Sequence, residues 1–376
     1  SNLKYHIMKK LFRHFLSAIL FAVPCMYASA AWDGTSAAEY AGGNGTKDNP
    51  YLIATESQFA KFANDVSTIP GFSRGRYFKL TADLVMYEGV GSKAYSPQTP
   101  MVGNFTDETT YTAAFEGIFD GDGHTISGLY SVNDAICVSL FRITYNATIK
   151  NLGVIDSYFY GNARFAGIVG KMVDSKLINC YVKNTRLEGY GSYAGCIVGQ
   201  CVGSSQIINC YSDATLTAKN NAGGIVGRIG EGKVDSCIID NCVSISTLTT
   251  TKSNKAGISS ENSSGSIVRN CFYANTLPSA ISSDKGKSEN ISSLAPEAFA
   301  GDSIVAVLNT NAENIPGACR WIRSSMCPAL DYRIFTIDGD EVDISAMATS
   351  PIPADGNLHA DGDSGAVLLP WNAALD

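Results

Sequence analysis

The sequence predicts an all-β fold, a right-handed parallel β-helix (solenoid) of about five to six coils with short capping helices at both ends. Two observations predict it. An Asn-Cys pair recurs with a period near 29 residues, and the units between these pairs contain short apolar runs separated by Gly, Asn and Ser. Such units are too rich in turn formers and β-branched residues to be helical repeats. Stacked coils, each contacting only its neighbours, fit this pattern.

The recurring Asn residues are predicted to form the corners of the coils. They are Asn151, Asn179, Asn209, Asn241 and Asn270, at spacings of 28, 30, 32 and 29 residues. Two residues before each Asn lies an aliphatic residue, and directly after each Asn lies a Cys or Leu. These two apolar residues are three positions apart, so in a straight strand they would point to opposite faces. Both can face inward only if the chain bends, and Asn tolerates the left-handed conformation of a bend. The sequence therefore predicts a column of hydrogen-bonded amides along the stack.

The Cys residues that follow the corners are predicted to fill the narrow interior. They are Cys180, Cys210, Cys242 and Cys271. Coils about 4.8 Å apart leave limited room inside, and a buried free Cys packs as a small apolar side chain. Of the cysteines outside this column, Cys319 and Cys327 lie close together in irregular chain, and we predict a disulfide between them.

The first residues are typical of an export signal. After residues 1–7, a predicted start at Met8 leads into a basic stretch and an apolar run, and Ala28-Ser29-Ala30 offers a cleavage site. Residues 8–30 are therefore predicted to be a signal peptide, because the apolar run is too short to span a bilayer. Cys25 would permit a lipoprotein alternative, but Pro24 lies where a small residue is expected.

The exported chain is predicted to have four parts. They are an N-terminal cap with the first strands (31–114), β-helix repeats (115–290), a C-terminal cap (291–335) and a tail without a predicted fold (336–376). Thr55 to Gln58 is a capping box that starts an amphipathic helix over the first coil. Residues 294–309 predict a second helix at the other end.

Charge and hydropathy exclude several classes of partner. Removing the leader removes four basic residues and no acidic ones, which takes the net charge from −7 to −11. Such an acidic chain argues against nucleic acid and against an anionic membrane surface. After the leader, no apolar run reaches the roughly 18 residues of a transmembrane helix. We therefore expect a secreted or cell-surface protein without a transmembrane span.

The motifs together resemble the GLUG-repeat family. The matching elements are AWDGT (31–35), GTKDNPYLIATESQFAKFAN (45–64), YFKLTADL (77–84), FEGIFDGDGHTISGLY (115–130), the repeated AG-x-IVG and the repeated I-x-NC. These repeats occur in bacterial surface proteins and in the N-terminal region of immunoglobulin A metalloproteases. The resemblance implies an extracellular β-helical module of adhesion or presentation, here of a Gram-negative bacterium. It implies no catalytic residues.

Metal-dependent chemistry finds little support in the sequence. The four His residues do not form the H-E-x-x-H pattern of zinc proteases. Asp120, Asp122 and His124 lie between glycines and resemble a calcium loop, but the acidic residues that an EF-hand needs do not follow. A tight turn between two strands is the favoured interpretation, so no metal and no cofactor are predicted.

Outward-facing residues supply the remaining candidate sites. Aligning the coils puts Lys183 and Asp213 at equivalent positions of adjacent coils. It puts Lys171, Gln200 and Arg228 in a second column, and we predict that both sets of side chains face solvent. The residues after the column Cys should also point outward, and with two nearby tyrosines they form a speculative aromatic binding column. Its members are Tyr181, Tyr211, Phe272, Tyr190 and Tyr193. The alternative is that the C-terminal segment covers this surface.

Two functional hypotheses follow from the sequence. The favoured one is a non-catalytic exported β-solenoid, an adhesin, display or ligand-binding module for host or microbial surface glycans or proteins. The alternative is a carbohydrate-active β-helix enzyme, a polysaccharide lyase or glycoside hydrolase. The enzyme predicts a groove with at least two clustered carboxylates.

Overall fold

The computed structural model of the protein describes residues 32–90, 94–105, 110–231, 235–252, 254–337 and 340–343. The predicted signal peptide, its cleavage site and residues 344–376 of the predicted tail lie outside the described residues. The described chain contains helices α1 (Glu56–Thr68) and α2 (Asp302–Ala312) and a 3-10 helix (Pro296–Ala300).

The strands of the solenoid are short. The first are β1 (Tyr51–Ile53), β2 (Tyr77–Leu80), β3 (Leu84–Val85), β4 (Ile118–Asp120), β5 (Thr125–Ser127), β6 (Tyr130–Val132), β7 (Phe141–Tyr145), β8 (Thr148–Lys150), β9 (Gly153–Ile155) and β10 (Tyr158–Gly161). The next are β11 (Val169–Val173), β12 (Lys176–Ile178), β13 (Tyr181–Gly189), β14 (Ala194–Gly195), β15 (Val198–Val202), β16 (Gln206–Ile208), β17 (Tyr211–Ala218), β18 (Ala222–Gly223), β19 (Val226–Ile229) and β20 (Ile238–Asp240). The last are β21 (Val243–Ser244), β22 (Thr247–Thr250), β23 (Lys255–Ala256), β24 (Ser259–Asn262), β25 (Ile267–Arg269), β26 (Phe272–Ala274), β27 (Ile281–Asp284), β28 (Lys287–Glu289) and β29 (Ser292–Leu294), followed by β30 (Cys319–Ile322), β31 (Ala329–Ile337) and β32 (Asp340–Asp343) outside the coils.

Three long parallel sheets form the sides of the solenoid, which confirms the predicted parallel β-helix. Sheet A contains β1, β2, β4, β8, β12, β16, β20, β25 and β28. Sheet B contains β3, β5, β9, β13, β17, β21, β26 and β29, with β6, β10 and β22 alongside. Sheet C contains β7, β11, β15, β19, β24 and β27. The stack has about seven turns, more than the five to six predicted, because the turns formed by residues 77–85 and 281–294 lack the Asn-Cys motif.

The interior is built from residues that occupy the same position in successive turns. Ile149, Leu177, Ile207, Ile239 and Val268 are register partners on sheet A, and all are buried. The four column Cys residues are also fully buried. Burying each large aliphatic side chain stabilises the fold by about 1.5–3 kcal/mol relative to exposure, so this repeated column is a main source of stability.

The corner Asn residues line up along one edge. All five have φ between 53° and 55°. Nδ2 of each later residue donates to Oδ1 of the one before, at 2.9 Å for Asn179 to Asn151, 2.8 Å for Asn209 to Asn179 and 2.8 Å for Asn241 to Asn209. Asn270 departs from the pattern, because its amide donates to Asp240 instead. The amides thus satisfy one another in a buried position.

Helix α1 covers the first turns, as the sequence predicts. Its capping residue Thr55 accepts a hydrogen bond from the backbone N–H of Gln58. The apolar face of the helix inserts Phe62 into the end of the stack, where its ring lies 4.7 Å from Phe78 and 5.3 Å from Phe119. These contacts close the N-terminal end of the interior.

The C-terminal cap differs from the prediction. Residues 294–309 were expected to form one helix over the last coil, but Pro296–Ala300 is a 3-10 helix and α2 follows it. Helix α2 packs against the side of the stack, where the Leu308 carbonyl accepts a hydrogen bond from Asn241. The last strands β27 to β29 remain largely exposed among the described residues. The prediction of capping helices at both ends is therefore wrong at the second end.

Residues 296–333, which we call the C-terminal cover, lie along the Asn edge and the adjacent part of sheet B. The cover contains the 3-10 helix, α2, β30 and the start of β31, which belong to an antiparallel sheet completed by β32. This sheet continues to Asp343, so the predicted boundary at 336 falls within a strand. The cover is held because backbone groups of Gly317 and Cys319 pair with amides of the Asn column.

Candidate functional site

An open groove of about 1030 Å³ runs across successive turns of sheet B. Asp156, Lys183, Asp213 and Thr247 line it from four consecutive turns, and Met326 of the C-terminal cover reaches its edge. Lys183 is the register partner of Asp213, as aligning the repeats predicted. The repeat thus brings polar side chains from distant parts of the chain into one surface.

A local irregularity shapes the groove. The register of β13 against β17 shifts between Lys183 and Thr185, which leaves Asn184 as an inserted residue with φ of 47°. Asp156 follows β9 with φ of 50°, and its carboxylate accepts a hydrogen bond from the Asn184 amide. Bulges of this kind re-aim side chains, and here they turn polar groups toward the groove.

Asp213 is the titratable group whose pKa is most relevant to the groove. Its side chain is half-buried, and burial raises the pKa of its carboxyl, an effect that the Lys183 ammonium partly offsets. The exposed Asp156 carboxylate also lines the groove. The groove therefore contains two carboxyl groups in different environments, and Lys183 lies on the turn between the two turns that supply them.

A row of tyrosines leads to the groove. Tyr87 lines the groove and stacks on Tyr95 at 4.7 Å, Tyr95 lies 5.5 Å from Tyr130, and Tyr130 lies 5.8 Å from Tyr158. The guanidinium of Arg186, also in the groove, lies 4.7 Å from the centre of the Tyr158 ring. Sequence reasoning missed this row, although Tyr130 and Tyr158 are register partners with the spacing of the repeat.

The aromatic column predicted from the sequence is not an exposed surface. Tyr181, Tyr211 and Phe272 do occupy equivalent positions, and the Tyr181 and Tyr211 rings stack at 4.7 Å. The C-terminal cover lies over them, however: Trp321 packs 6.0 Å from Tyr211, which is only 5% exposed, and Tyr181 is partly buried. Phe272 is 9% exposed. The alternative that the C-terminal segment covers this surface is thus what the structure shows.

The two other predicted aromatic residues lie apart from the groove lining. Tyr190 is exposed, and its ring lies 6.4 Å from Tyr160. Tyr193 packs beneath the guanidinium of Arg228 at 4.7 Å. The five predicted residues therefore do not form one continuous binding surface.

The predicted disulfide is also wrong. Cys319 and Cys327 are both buried, and both are free thiols. They belong to the same apolar cluster under the C-terminal cover, together with Trp321 and Phe299. Burial raises the pKa of both thiols, so they remain protonated and pack as apolar side chains.

The other outward column is buried rather than solvated. Lys171, Gln200 and Arg228 are register partners on sheet C, as predicted, but Lys171 and Gln200 have no exposed surface. The loop residue Arg164 covers them, and its Nε donates to Gln200 Oε1 at 2.6 Å. The repeat predicts the column, whereas the covering loops are specified by residues outside the repeat.

Residues 119–125 form a tight turn, which was the favoured interpretation. Asp122 has φ of 52°, and its backbone N–H donates to the Asp120 carboxylate at 2.8 Å. Asp122 pairs with Lys79 at 3.0 Å, and Asp120 pairs with Lys150 at 3.7 Å. Within the described parts of the chain, no three His, Cys, Asp or Glu side chains are grouped to hold a metal ion.

Comparisons with known proteins give partial matches, and no family model matches the chain. The chain is 25% identical over 220 residues to "Halomucin" of Haloquadratum walsbyi, covering 57% of this chain and 2% of that protein. It is 30% identical over 160 residues to "Putative Gly-rich membrane protein" of Evansella cellulosilytica, covering 40% of this chain and 16% of that protein. The chain thus spans a small part of each relative's length.

One solved structure gives a partial match. It is described as a "putative immunoglobulin A1 protease" from Bacteroides ovatus, with a TM-score of 0.49 and 19% identity over 77% of this chain and 94% of that one. Among the described residues, no helix has the length and apolar character needed to cross a membrane.

Proposed function

We propose that the protein is an exported β-solenoid that binds a ligand at the bacterial surface through the sheet B groove. The groove is the observation that carries the proposal, because it combines charged, amide and aromatic groups on a rigid stack of strands. Lys183, Asp213 and Asn184 provide hydrogen-bond donors and acceptors, and Tyr87 provides a flat apolar surface. Such a mixture suits polyhydroxylated ligands, whose rings stack on aromatic faces while hydroxyls bond to polar groups.

The names of the relatives support a surface location. One relative is named as a mucin and the other as a membrane protein, and this chain matches a segment of each. The predicted signal peptide agrees with export. Host or microbial surface glycans are therefore the first ligand class to test, with surface proteins as the second.

Binding is tested on a glycan array with groove variants. Lys183→Ala and Asp213→Ala should each weaken binding about 10-fold or more, because each removes a hydrogen bond to a charged group. Lys219→Ala is the matched control, since Lys219 is exposed in the bend directly after β17 and outside the groove lining. Unchanged binding in both groove variants, with circular dichroism showing folded protein, would locate the ligand elsewhere and refute the proposal.

A second candidate function is cleavage of a polysaccharide in the same groove, by a glycoside hydrolase or a polysaccharide lyase reaction. The observation that favours it is the pair of carboxyl groups, Asp156 and Asp213, because a carboxyl with a raised pKa can act as a general acid. The test is release of reducing ends from each glycan that the array identifies. Release that is lost in Asp213→Asn, with binding retained, would establish the enzyme and replace the non-catalytic proposal.

A further inference from the structure

A buried polar cluster lies on sheet C, outside the groove. Lys171 in β11 and Gln200 in β15 are register partners on successive strands, so their backbones are about 4.8 Å apart. Both side chains point away from the apolar interior, yet neither is exposed to solvent. Burying a lysine beside a primary amide is costly unless specific partners compensate, so the contacts of this pair are informative.

The partners of the pair are a carboxylate, a guanidinium and a backbone carbonyl. Lys171 Nζ lies 2.5 Å from Glu231 Oε1. Gln200 Oε1 accepts a hydrogen bond from Arg164 Nε at 2.6 Å, and Gln200 Nε2 donates to the Gly230 carbonyl at 3.0 Å. Because Gly230 and Glu231 are consecutive, one dipeptide contacts both the lysine amine and the glutamine amide nitrogen. The two groups are thereby brought together over the same part of the sheet.

The carboxylate and the guanidinium are groups of the kind that promote acyl transfer. An amine that loses a proton to a carboxylate is a nucleophile. A guanidinium bonded to an amide oxygen draws electron density from the carbonyl carbon and stabilises the negative charge that develops on the oxygen during attack. Fixing amine and amide on adjacent strands replaces a bimolecular encounter with an intramolecular one. Burial also limits the access of water, the competing nucleophile.

We propose that Lys171 and Gln200 form an intramolecular isopeptide bond, which joins two successive turns of the solenoid covalently. The Glu231 carboxylate accepts a proton from the Lys171 ammonium, and the neutral Nζ attacks Cδ of Gln200. Arg164 stabilises the tetrahedral oxyanion, and the proton held by Glu231 passes to the departing Nε2. The Cδ–Nε2 bond breaks and Nε2 leaves as ammonia, which takes up the second proton that the Lys171 amine loses. An amide and one ammonium ion thus replace the lysine ammonium and the glutamine amide. No oxidant, metal or cofactor is required.

This modification is independent of the groove and would strengthen the solenoid rather than bind a ligand. A parallel stack opens by separating neighbouring turns, and strands β11 and β15 belong to two such turns. A covalent link between them resists that separation. The next residue of the column, Arg228, pairs with Glu261 at 3.0 Å, so the column continues as an ion pair beyond the proposed bond.

The intact mass of the full exported chain tests the proposal directly. The expected mass is lower by one ammonia than the mass calculated from the sequence starting at the observed N-terminus. Protease digestion should yield one branched peptide that contains both Lys171 and Gln200. An unmodified mass, or separate linear peptides for the two residues, would overturn the proposal without any need for a variant.

Three variants distinguish this bond from other losses of ammonia. Lys171→Arg and Gln200→Glu should both have the mass calculated from their sequences, because the first lacks the amine and the second lacks the amide. A loss that persists in Lys171→Arg would come from another site, such as succinimide formation, and would refute the assignment. Glu231→Gln retains both reacting groups, and slower bond formation in this folded variant is expected. Full bond formation at the wild-type rate would exclude the role of Glu231 in proton transfer.

Discussion

Strands β13 and β17 each have one covered end and one open end. Comparing the two ends shows what determines whether an outward-facing side chain is buried or exposed. Tyr181 and Tyr211, at the start of these strands, are register partners beneath the C-terminal cover. Lys183 and Asp213, two positions later, line the open groove. Residues two apart in a strand share a face, so all four point outward. What differs is whether another segment packs over them.

The covered end is stabilised by contacts between residues that are far apart in the sequence. Trp321 is fully buried against Tyr211, and its Nε1 donates to Asn209 Oδ1 at 2.6 Å. The hydroxyl of Tyr332 donates to the Asn179 carbonyl at 2.9 Å. These bonds join residues more than 100 positions apart to the Asn column, so the cover and the corner amides form one unit. The open end lacks such a segment among the described residues, apart from Met326 at its edge.

Trp321→Ala should have the largest effect on stability, because Trp321 is the fully buried side chain that packs the C-terminal cover onto Tyr211. The variant leaves a cavity beside Tyr211 and removes a buried hydrogen bond, and such Trp→Ala changes cost about 3–5 kcal/mol of unfolding free energy. Urea unfolding followed by circular dichroism measures the loss, and limited proteolysis should then cut residues 296–333 before the coils. Trp321→Phe is the control, since it keeps most of the apolar volume. A loss below about 1 kcal/mol would show that the cover contributes little.

Asn209→Ala should have an intermediate effect, because it weakens the attachment of the cover to the corner. Asn209 donates to Asn179 and to the Cys319 carbonyl, and it accepts from Asn241 and Trp321. Losing these bonds and forcing Ala to adopt φ of 55° should together cost about 2–3 kcal/mol.

Asn209→Gly and variants of Asn184 separate the two causes of that loss. Gly adopts positive φ without strain, so Asn209→Gly should lose about 1 kcal/mol less than Asn209→Ala if backbone strain contributes. Asn184 has a similar φ of 47° but is exposed at the open end. Asn184→Ala should therefore lose stability through backbone strain and through one exposed hydrogen bond to Asp156, without the loss of any buried amide bond. Equal losses at Asn184 and Asn209 would mean that the buried amide bonds add nothing.

The repeat explains which features could be predicted from the sequence. The β-helix, the corner column and the pairing of Lys183 with Asp213 follow from residues that recur at fixed spacing, and each turn contacts only its neighbours. The helix over the first turns was also predictable, because its capping box and apolar spacing are local signals. Inward positions were therefore well specified by sequence alone.

Features that depend on non-repeated segments could not be predicted in the same way. The C-terminal cover has no repeat, and its contacts with Asn179 and Asn209 span over 100 residues, so its placement along the side rather than the end has no local signal. The same reason explains the burial of Lys171 and of Tyr211. The tyrosine row beside the groove was detectable, since Tyr130 and Tyr158 follow the repeat spacing.

Asp213→Asn should have the smallest effect on stability, because Asp213 is only half-buried at the open end of the strands. Burial raises the pKa of Asp213 above 3.8, so the folded protein holds this proton more tightly than the unfolded chain does. The contribution of the group to stability is therefore greatest below pH 3.8 and falls as the pH rises through the raised folded pKa. Asn does not titrate, so the variant should gain stability relative to the wild type between those pH values and keep the gain at neutral pH. Urea unfolding across that pH range measures it, with the exposed Asp302→Asn as control. A wild-type advantage at neutral pH would instead show that attraction to Lys183 exceeds the cost of burial, and the groove would then be organised around an ion pair.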